Sequence, residues 1–194
     1  MRPILTDVVA NERLRARLGE ELVAGKLSHA YILSGERGFG KHTLALHLAA
    51  ALACERQTDT HTPLPCLACA ACRKILDGNA PDIIYVNRGD KATLGVEVIR
   101  GMQSDVYIAP IELDSKIYVI EDAETMTVQA QNALLLTLEE PPPYVRFIFA
   151  TTEGDKVLAT IISRCQRFDF GRIPAGAGVF IVKNDRREPD KYKG

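Results

Sequence analysis

The sequence predicts an α/β fold, a parallel sheet with helices packed on both faces. Short apolar runs of strand length alternate with longer segments of helical periodicity, and the first run ends in a glycine-rich turn that opens a helix. Parallel neighbours need a crossover connection, and a helix in each gap supplies one.

The elements follow in order. Residues 29–34 (HAYILS) form a short apolar run ending at glycine, which reads as a buried strand. After the turn, Leu44, Leu48 and Leu52 recur at helical spacing with Ala45, Ala49 and Ala53 beside them. Residues 82–86 read as a second strand, 96–106 as a helix with Ile99 and Met102 on its apolar face, and 116–120 as a third strand. Residues 127–138, rich in Ala and Leu, form a helix closed by Pro141, Pro142 and Pro143, since proline cannot continue the ladder. Residues 146–150 are a fourth strand and 166–170 the last.

With 194 residues the chain has room for one good core and a tail. A hydrophobic content of 46% with 25% charged residues is ordinary for a globular protein, and the formal net charge of -1 argues against wholesale nucleic-acid binding. Arg13 and Arg17 share a helix face that reads as solvated surface. No apolar run approaches the roughly 18 residues of a membrane span, and residues 1–7 are no secretory signal. The expectation is a cytoplasmic protein with no membrane partner, monomeric in isolation.

The turn after the first strand is Gly35-Glu36-Arg37-Gly38-Phe39-Gly40-Lys41-His42, a phosphate-binding loop with one altered position. Gly35, Gly38 and Gly40 let backbone N–H groups turn inward around phosphate oxygens, and Lys41 reaches the outer phosphates. The eighth position calls for Ser or Thr, whose hydroxyl coordinates the magnesium that travels with a nucleotide. His42 lacks that hydroxyl, and imidazole is a poor ligand for a hard, oxygen-preferring ion. Thr43 is one residue along, turned by about 100° away from the phosphates. Strand, loop and helix in this order place a helix N-terminus under an anion. The alternative is a glycine-rich turn before a core helix.

Cys66, Cys69 and Cys72 follow one another at two-residue spacing, and Cys54 precedes them at the end of the loop helix. Four such thiolates can close a tetrahedral structural zinc site within an insert spanning about residues 54–72. Iron–sulfur ligation is the rival, although nothing else suggests electron transfer. His61, in the polar stretch 56–65, reads as a loop histidine rather than a ligand. The third strand ends in Glu121-Asp122. Two acids at that place fit the acidic half of an ATPase site, against the plainer alternative of an exposed acidic turn opening a helix.

Taken in order, the loop at Gly35, the four-cysteine insert, residues 132–142 (NALLLTLEEPP) and Ser163-Arg164-Cys165-Gln166 resemble the nucleotide-binding domain of bacterial DNA polymerase III clamp-loader subunits, of the AAA+ ATPase class. The resemblance covers about residues 5–173. Residues 126–132 (MTVQAQN) and the missing loop hydroxyl look like the delta-prime subunit, with the gamma/tau motor as the close relative. Several roles follow from the resemblance. Glu121 and Asp122 stand where motor subunits carry Asp then Glu, so the first acid is too long for the metal and the second too short for the attacking water. Misplacement by about 1 Å can cost on the order of a hundredfold in rate. Thr151 matches the first nucleotide sensor, and Ala10-Asn11 replaces the Gly-Gln near the adenine pocket. Arg164 matches the arginine finger that completes a neighbour's ATP site.

The resemblance therefore implies a subunit that helps load the sliding clamp onto primed DNA beside gamma/tau and delta partners. Zinc is its structural metal, ATP binding is weak, magnesium binding is impaired, and its own ATPase is weak or absent within the DNA-directed DNA polymerase complex. The alternatives are an active gamma/tau-like ATPase and a zinc-bearing interaction module without nucleotide. The family would continue past Ile173 into a helical lid and collar. Residues 174–194 instead have no helical periodicity and read as a disordered tail, with lid and collar absent.

Overall fold

A computed structural model describes residues 5, 16–17, 19–21, 24, 27–37, 41–59 and 61–169. Several expectations lie outside the described residues: Gly38 and Gly40 of the loop, Ala10-Asn11, Arg13, Phe170 and the 174–194 tail.

Ten principal elements run in the order β1 (Ala30–Ser34), α1 (Lys41–Leu52), α2 (Ala70–Leu76), β2 (Ile83–Val86), α3 (Val96–Val106), β3 (Lys116–Ile120), α4 (Val128–Glu139), β4 (Val145–Thr151), α5 (Ala159–Ile162) and β5 (Gln166–Asp169). The strands form one parallel sheet in the order β2-β3-β4-β1-β5. Ser34 at the end of β1 pairs with Thr151 of β4, and Ile120 of β3 with Phe149, so all three C-terminal ends reach one edge of the sheet. Loops leaving that edge share a crevice, the usual place for a ligand on an open α/β sheet.

Both faces are covered, which explains why the strands read as continuous apolar runs. Tyr31, Leu33, Val119 and Ile148 point to one side, against Leu44 and Leu48 of α1 and Ile75 of α2. Ile32, Tyr118, Phe147 and Phe149 point to the other, against Ile99 and Met102 of α3, Leu134 and Leu138 of α4, and Ile161 of α5. The two-residue alternation of a strand sorts its neighbours onto opposite faces. Helix α4 starts where expected because the Thr127 hydroxyl accepts from the Ala130 N–H at 3.1 Å, satisfying one orphan donor of the first turn.

Two helices are additions to the sequence reading. Cys69 caps α2, its sulfur accepting from the Cys72 N–H at 3.4 Å, and the helix is seven residues long, too short for a periodic signal. The four residues of α5 are shorter still. Among the described residues, no helix is long and apolar enough to cross a membrane.

Candidate functional site

At the C-terminal edge of the sheet lies a cavity of about 410 Å³ lined by Arg37, Lys41, His42, Val119, Glu121, Asp122, Ala150 and Thr152. The loop after β1 provides Arg37, the first turn of α1 provides Lys41 and His42, and the acids leave β3. Backbone pairing fixes their relative heights: Gly35 N–H donates to Thr151 O at 3.1 Å and Glu121 N–H to Val86 O at 2.9 Å.

Lys41 is folded onto its own loop, Nζ donating to Gly35 O at 2.6 Å and Glu36 O at 2.7 Å. Burial lowers its pKa, while the nearby Glu124 and Asp122 carboxylates oppose that shift. Arg37 and Lys41 on one wall fit phosphate chemistry, two cations facing a solvent-open cavity. Thr43 is not among the lining residues.

His42 and Glu121 meet directly. Nδ1 of His42 lies 2.6 Å from Oε1 of Glu121, so the imidazole N–H donates to the carboxylate. The His42 ring also stacks on Tyr85 of β2, centroids 5.4 Å apart and planes 25° from parallel. Magnesium holds its oxygens at about 2.0–2.1 Å, so even adjacent ligands of an octahedral ion stand about 2.9 Å apart with the ion outside the line joining them. A direct 2.6 Å hydrogen bond engages one oxygen of the Glu121 carboxylate, and the imidazole brings no oxygen. These residues do not fit magnesium.

Asp122 adopts a left-handed backbone (φ 47°, ψ 47°), and its Oδ2 lies 3.9 Å from Nε of Arg88. Thr151 is fully buried, its Oγ1 accepting from the Glu153 N–H at 3.2 Å, and the next residue, Thr152, lines the cavity instead. Glu124, absent from the sequence-derived site, belongs to this neighbourhood. Its carboxylate accepts from the Thr152 N–H at 3.2 Å and from the Thr152 hydroxyl. Burial would raise the Glu124 pKa, but the donors of Thr152 and Thr151 outweigh it and hold the carboxyl below its ordinary value. Glu124 and Arg88 carry no motif, since a lone charge just past a strand end looks like ordinary surface, and Tyr85 reads only as a residue of β2.

Arg164 stands apart from this cavity, just after α5, with Nη2 2.6 Å from Oε1 of Glu139 and Nη1 donating to Thr160 O at 2.8 Å.

The cysteines converge as expected. The Sγ atoms of Cys54, Cys66, Cys69 and Cys72 all lie within 4.8 Å of one another, with Cys66 and Cys72 at 3.9 Å. A tetrahedral zinc at about 2.3 Å from each sulfur sets the sulfurs roughly 3.8 Å apart, so the donor set fits that metal. The Cys69 N–H donates to Cys66 Sγ at 3.3 Å. Burial raises the Cys66 thiol, but the N–H groups of Ala68 and Cys69 prevail and leave it lowered to about 7. Burial pushes the Cys54 and Cys72 thiols upward, so a metal bound by these sulfurs has to displace their protons. His61 is no member of the cluster.

A family model described as DNA polymerase III, delta subunit, matches residues 10–174. DNA polymerase III subunit tau of Bacillus subtilis is 44% identical over 173 residues, covering 88% of this chain and 30% of that protein. Subunit gamma of Buchnera aphidicola is 36% identical over 162 residues, 84% of this chain and 44% of the relative. Subunit tau of Escherichia coli is 39% identical over 162 residues, 84% of this chain and 24% of the relative. The chain thus spans less than half the length of these relatives. Among solved structures, a DNA polymerase III gamma subunit-related protein of Thermotoga maritima aligns with a TM-score of 0.58 at 21% identity, covering 81% of this chain and 45% of the other. The RuvB Holliday junction branch migration motor of the same organism aligns at 0.52 and 15% identity, covering 87% and 48%. At such identities the two structures show the fold alone. The match over residues 10–174, on a sheet of this order with this loop and this acidic strand end, shows that the chain belongs to the DNA polymerase III delta-subunit family, among the clamp-loader subunits of the AAA+ class.

Proposed function

We propose that this chain acts as a hydrolysis-poor, delta-prime-like subunit of a clamp loader, working in the cytoplasm beside gamma/tau and delta subunits to place the sliding clamp on primed DNA. The observation that carries the hydrolysis-poor reading is the direct His42–Glu121 bond, which engages the first acid of the strand end with a side chain instead of a reacting group. Lys41 and Arg37 hold the phosphates of a weakly bound nucleotide, and Asp122, too short for the attacking water, has Arg88 as a charged neighbour at 3.9 Å. Arg164 serves the ATP site of a neighbouring subunit: a guanidinium is a permanent planar charge suited to a transferring phosphoryl group. Zinc on Cys54, Cys66, Cys69 and Cys72 fastens the insert to the end of α1.

The test is a clamp-loading assay with the partner subunits, in which this chain should add loading activity while contributing no ATP turnover of its own. Loading that proceeds equally well without the chain would remove the role.

A second reading is favoured by one observation, that the similar curated proteins are tau and gamma subunits. In that reading the chain is itself a motor. Robust turnover by the chain, abolished in Lys41→Ala, would establish it.

A further inference from the structure

We infer that the cavity lined by Arg37, Lys41, His42 and Glu121 takes its nucleotide without a divalent cation, because the His42–Glu121 pair occupies the junction that a metal would otherwise bridge. This rests on the nucleotide-binding reading above and adds to it the chemical form of the ligand, the metal-free nucleotide.

The pair joins two separate elements. His42 belongs to the first turn of α1, and Glu121 follows β3 directly. A metal at this junction has to collect one ligand from each side, and here the two sides hydrogen-bond to each other at 2.6 Å. The stack on Tyr85 orients the imidazole, so opening the junction costs a ring contact as well as a hydrogen bond. The second acid, Asp122, has a left-handed backbone and lies 3.9 Å from Arg88 Nε, an ion pair at the cavity wall. Glu121 is therefore engaged by a hydrogen bond from the chain, and Asp122 has a guanidinium as its charged neighbour.

Phosphate charge must still be met, and the cavity meets it with Arg37 and Lys41. Lys41 holds only backbone carbonyls, weaker partners than a phosphate oxygen, and can exchange them for the ligand. The departures at positions 42 and 121 thus form one matched exchange. Threonine at position 42 would leave Glu121 without its donor, and aspartate at position 121 would fall short of the ring.

The measurement is ATP binding to the whole chain by calorimetry, once in excess EDTA and once in excess magnesium. Affinity in EDTA should equal or exceed that in magnesium, since magnesium only withdraws free nucleotide. In the double variant His42→Thr/Glu121→Asp, magnesium should instead tighten binding by about tenfold or more, while neither single change achieves this. If wild-type chain binds ATP about tenfold tighter with magnesium, the inference is wrong, whether or not the double variant folds. Absence of binding in both buffers also overturns it, and leaves the clamp-loading role and Arg164 to stand on their own assays. A folded double variant still indifferent to magnesium would show that the pair is not what excludes the ion.

Discussion

Arg164 and Glu139 form an ion pair within the chain, with Nη2 and Oε1 2.6 Å apart, and the arginine is held a second time by the Thr160 carbonyl. Glu139 ends α4 and Thr160 lies in α5, so the guanidinium is aimed from the ends of two helices rather than from a loose loop. With side chains 33% and 48% exposed, such a pair contributes only about 0–1 kcal/mol. It orients the arginine without locking it.

Removing Arg164 should accordingly leave the fold almost untouched. Arg164→Ala is expected to shift the melting temperature by no more than about 4 °C. In an assembled clamp loader the same change should lower ATP hydrolysis by the neighbouring motor by roughly 10³-fold, with Arg164→Lys rescuing poorly because it lacks the planar fork. Wild-type partner turnover in the Ala variant would mean that the arginine is surface only.

The cysteine cluster makes a compositional prediction. Elemental analysis of purified protein should find about one zinc per chain. Cys69→Ser removes a ligand but leaves a hydroxyl that can accept the Cys72 N–H now capping α2, so its effect reports on the metal. Metal content and melting temperature should therefore fall together, by about 2–4 °C for each kcal/mol lost at this chain length. Iron with visible absorbance, or a metal-free protein of unchanged stability, would refute zinc.

Asp82 holds the segment that feeds β3. Its carboxylate accepts N–H groups of Ile111 and Glu112 at 2.7 Å each and of Leu113 at 2.9 Å, and the residue is 1% exposed. Charged hydrogen bonds contribute about 1.5–3 kcal/mol each, so Asp82→Ala should cost about 3 kcal/mol or more and lower the melting temperature by roughly 6–12 °C. Asp82→Asn keeps one acceptor and should lose less. A loss under about 1 kcal/mol would show that the segment is held by its apolar neighbours instead.

The sheet was legible because each strand is buried on both faces and therefore reads as an unbroken apolar run, as in residues 116–120. Helices long enough for two or more turns, such as α3 and α4, were legible for the matching reason. Helix α2 was not, because in seven residues the cysteine spacing speaks first and its cap is a cysteine rather than Ser, Thr, Asp or Asn. The loop and the acid pair were legible as separate departures at His42 and Glu121. Their contact was not, since 79 residues separate them and only the register β3-β4-β1 brings their ends together. Glu124 stayed hidden because its role depends on Thr152, contributed by the neighbouring strand end.

That hidden carboxylate gives a pH-dependent prediction. The folded protein holds Glu124 below its ordinary value of 4.5, burial being outweighed by the donors of Thr152 and Thr151. A carboxyl depressed on folding binds fewer protons in the native state than in the unfolded one just below its unfolded pKa. Its contribution to stability is thus fully present above about pH 4.5 and is lost as pH falls through the lower folded value. Glu124→Gln keeps an acceptor for Thr152 but has no charge to lose. The difference in melting temperature between wild type and Glu124→Gln should therefore be constant from pH 7 to about pH 5 and shrink below that, as the other carboxyls titrate alike in both proteins. Lys41 supplies a control, because Glu124 is the first of the charges that oppose the burial-driven fall in its pKa. Removing that charge should lower the Lys41 pKa further, measurable by NMR titration of its side chain. A melting-temperature difference unchanged down to pH 3, together with an unmoved Lys41, would show that Glu124 is solvated and takes no part in the site.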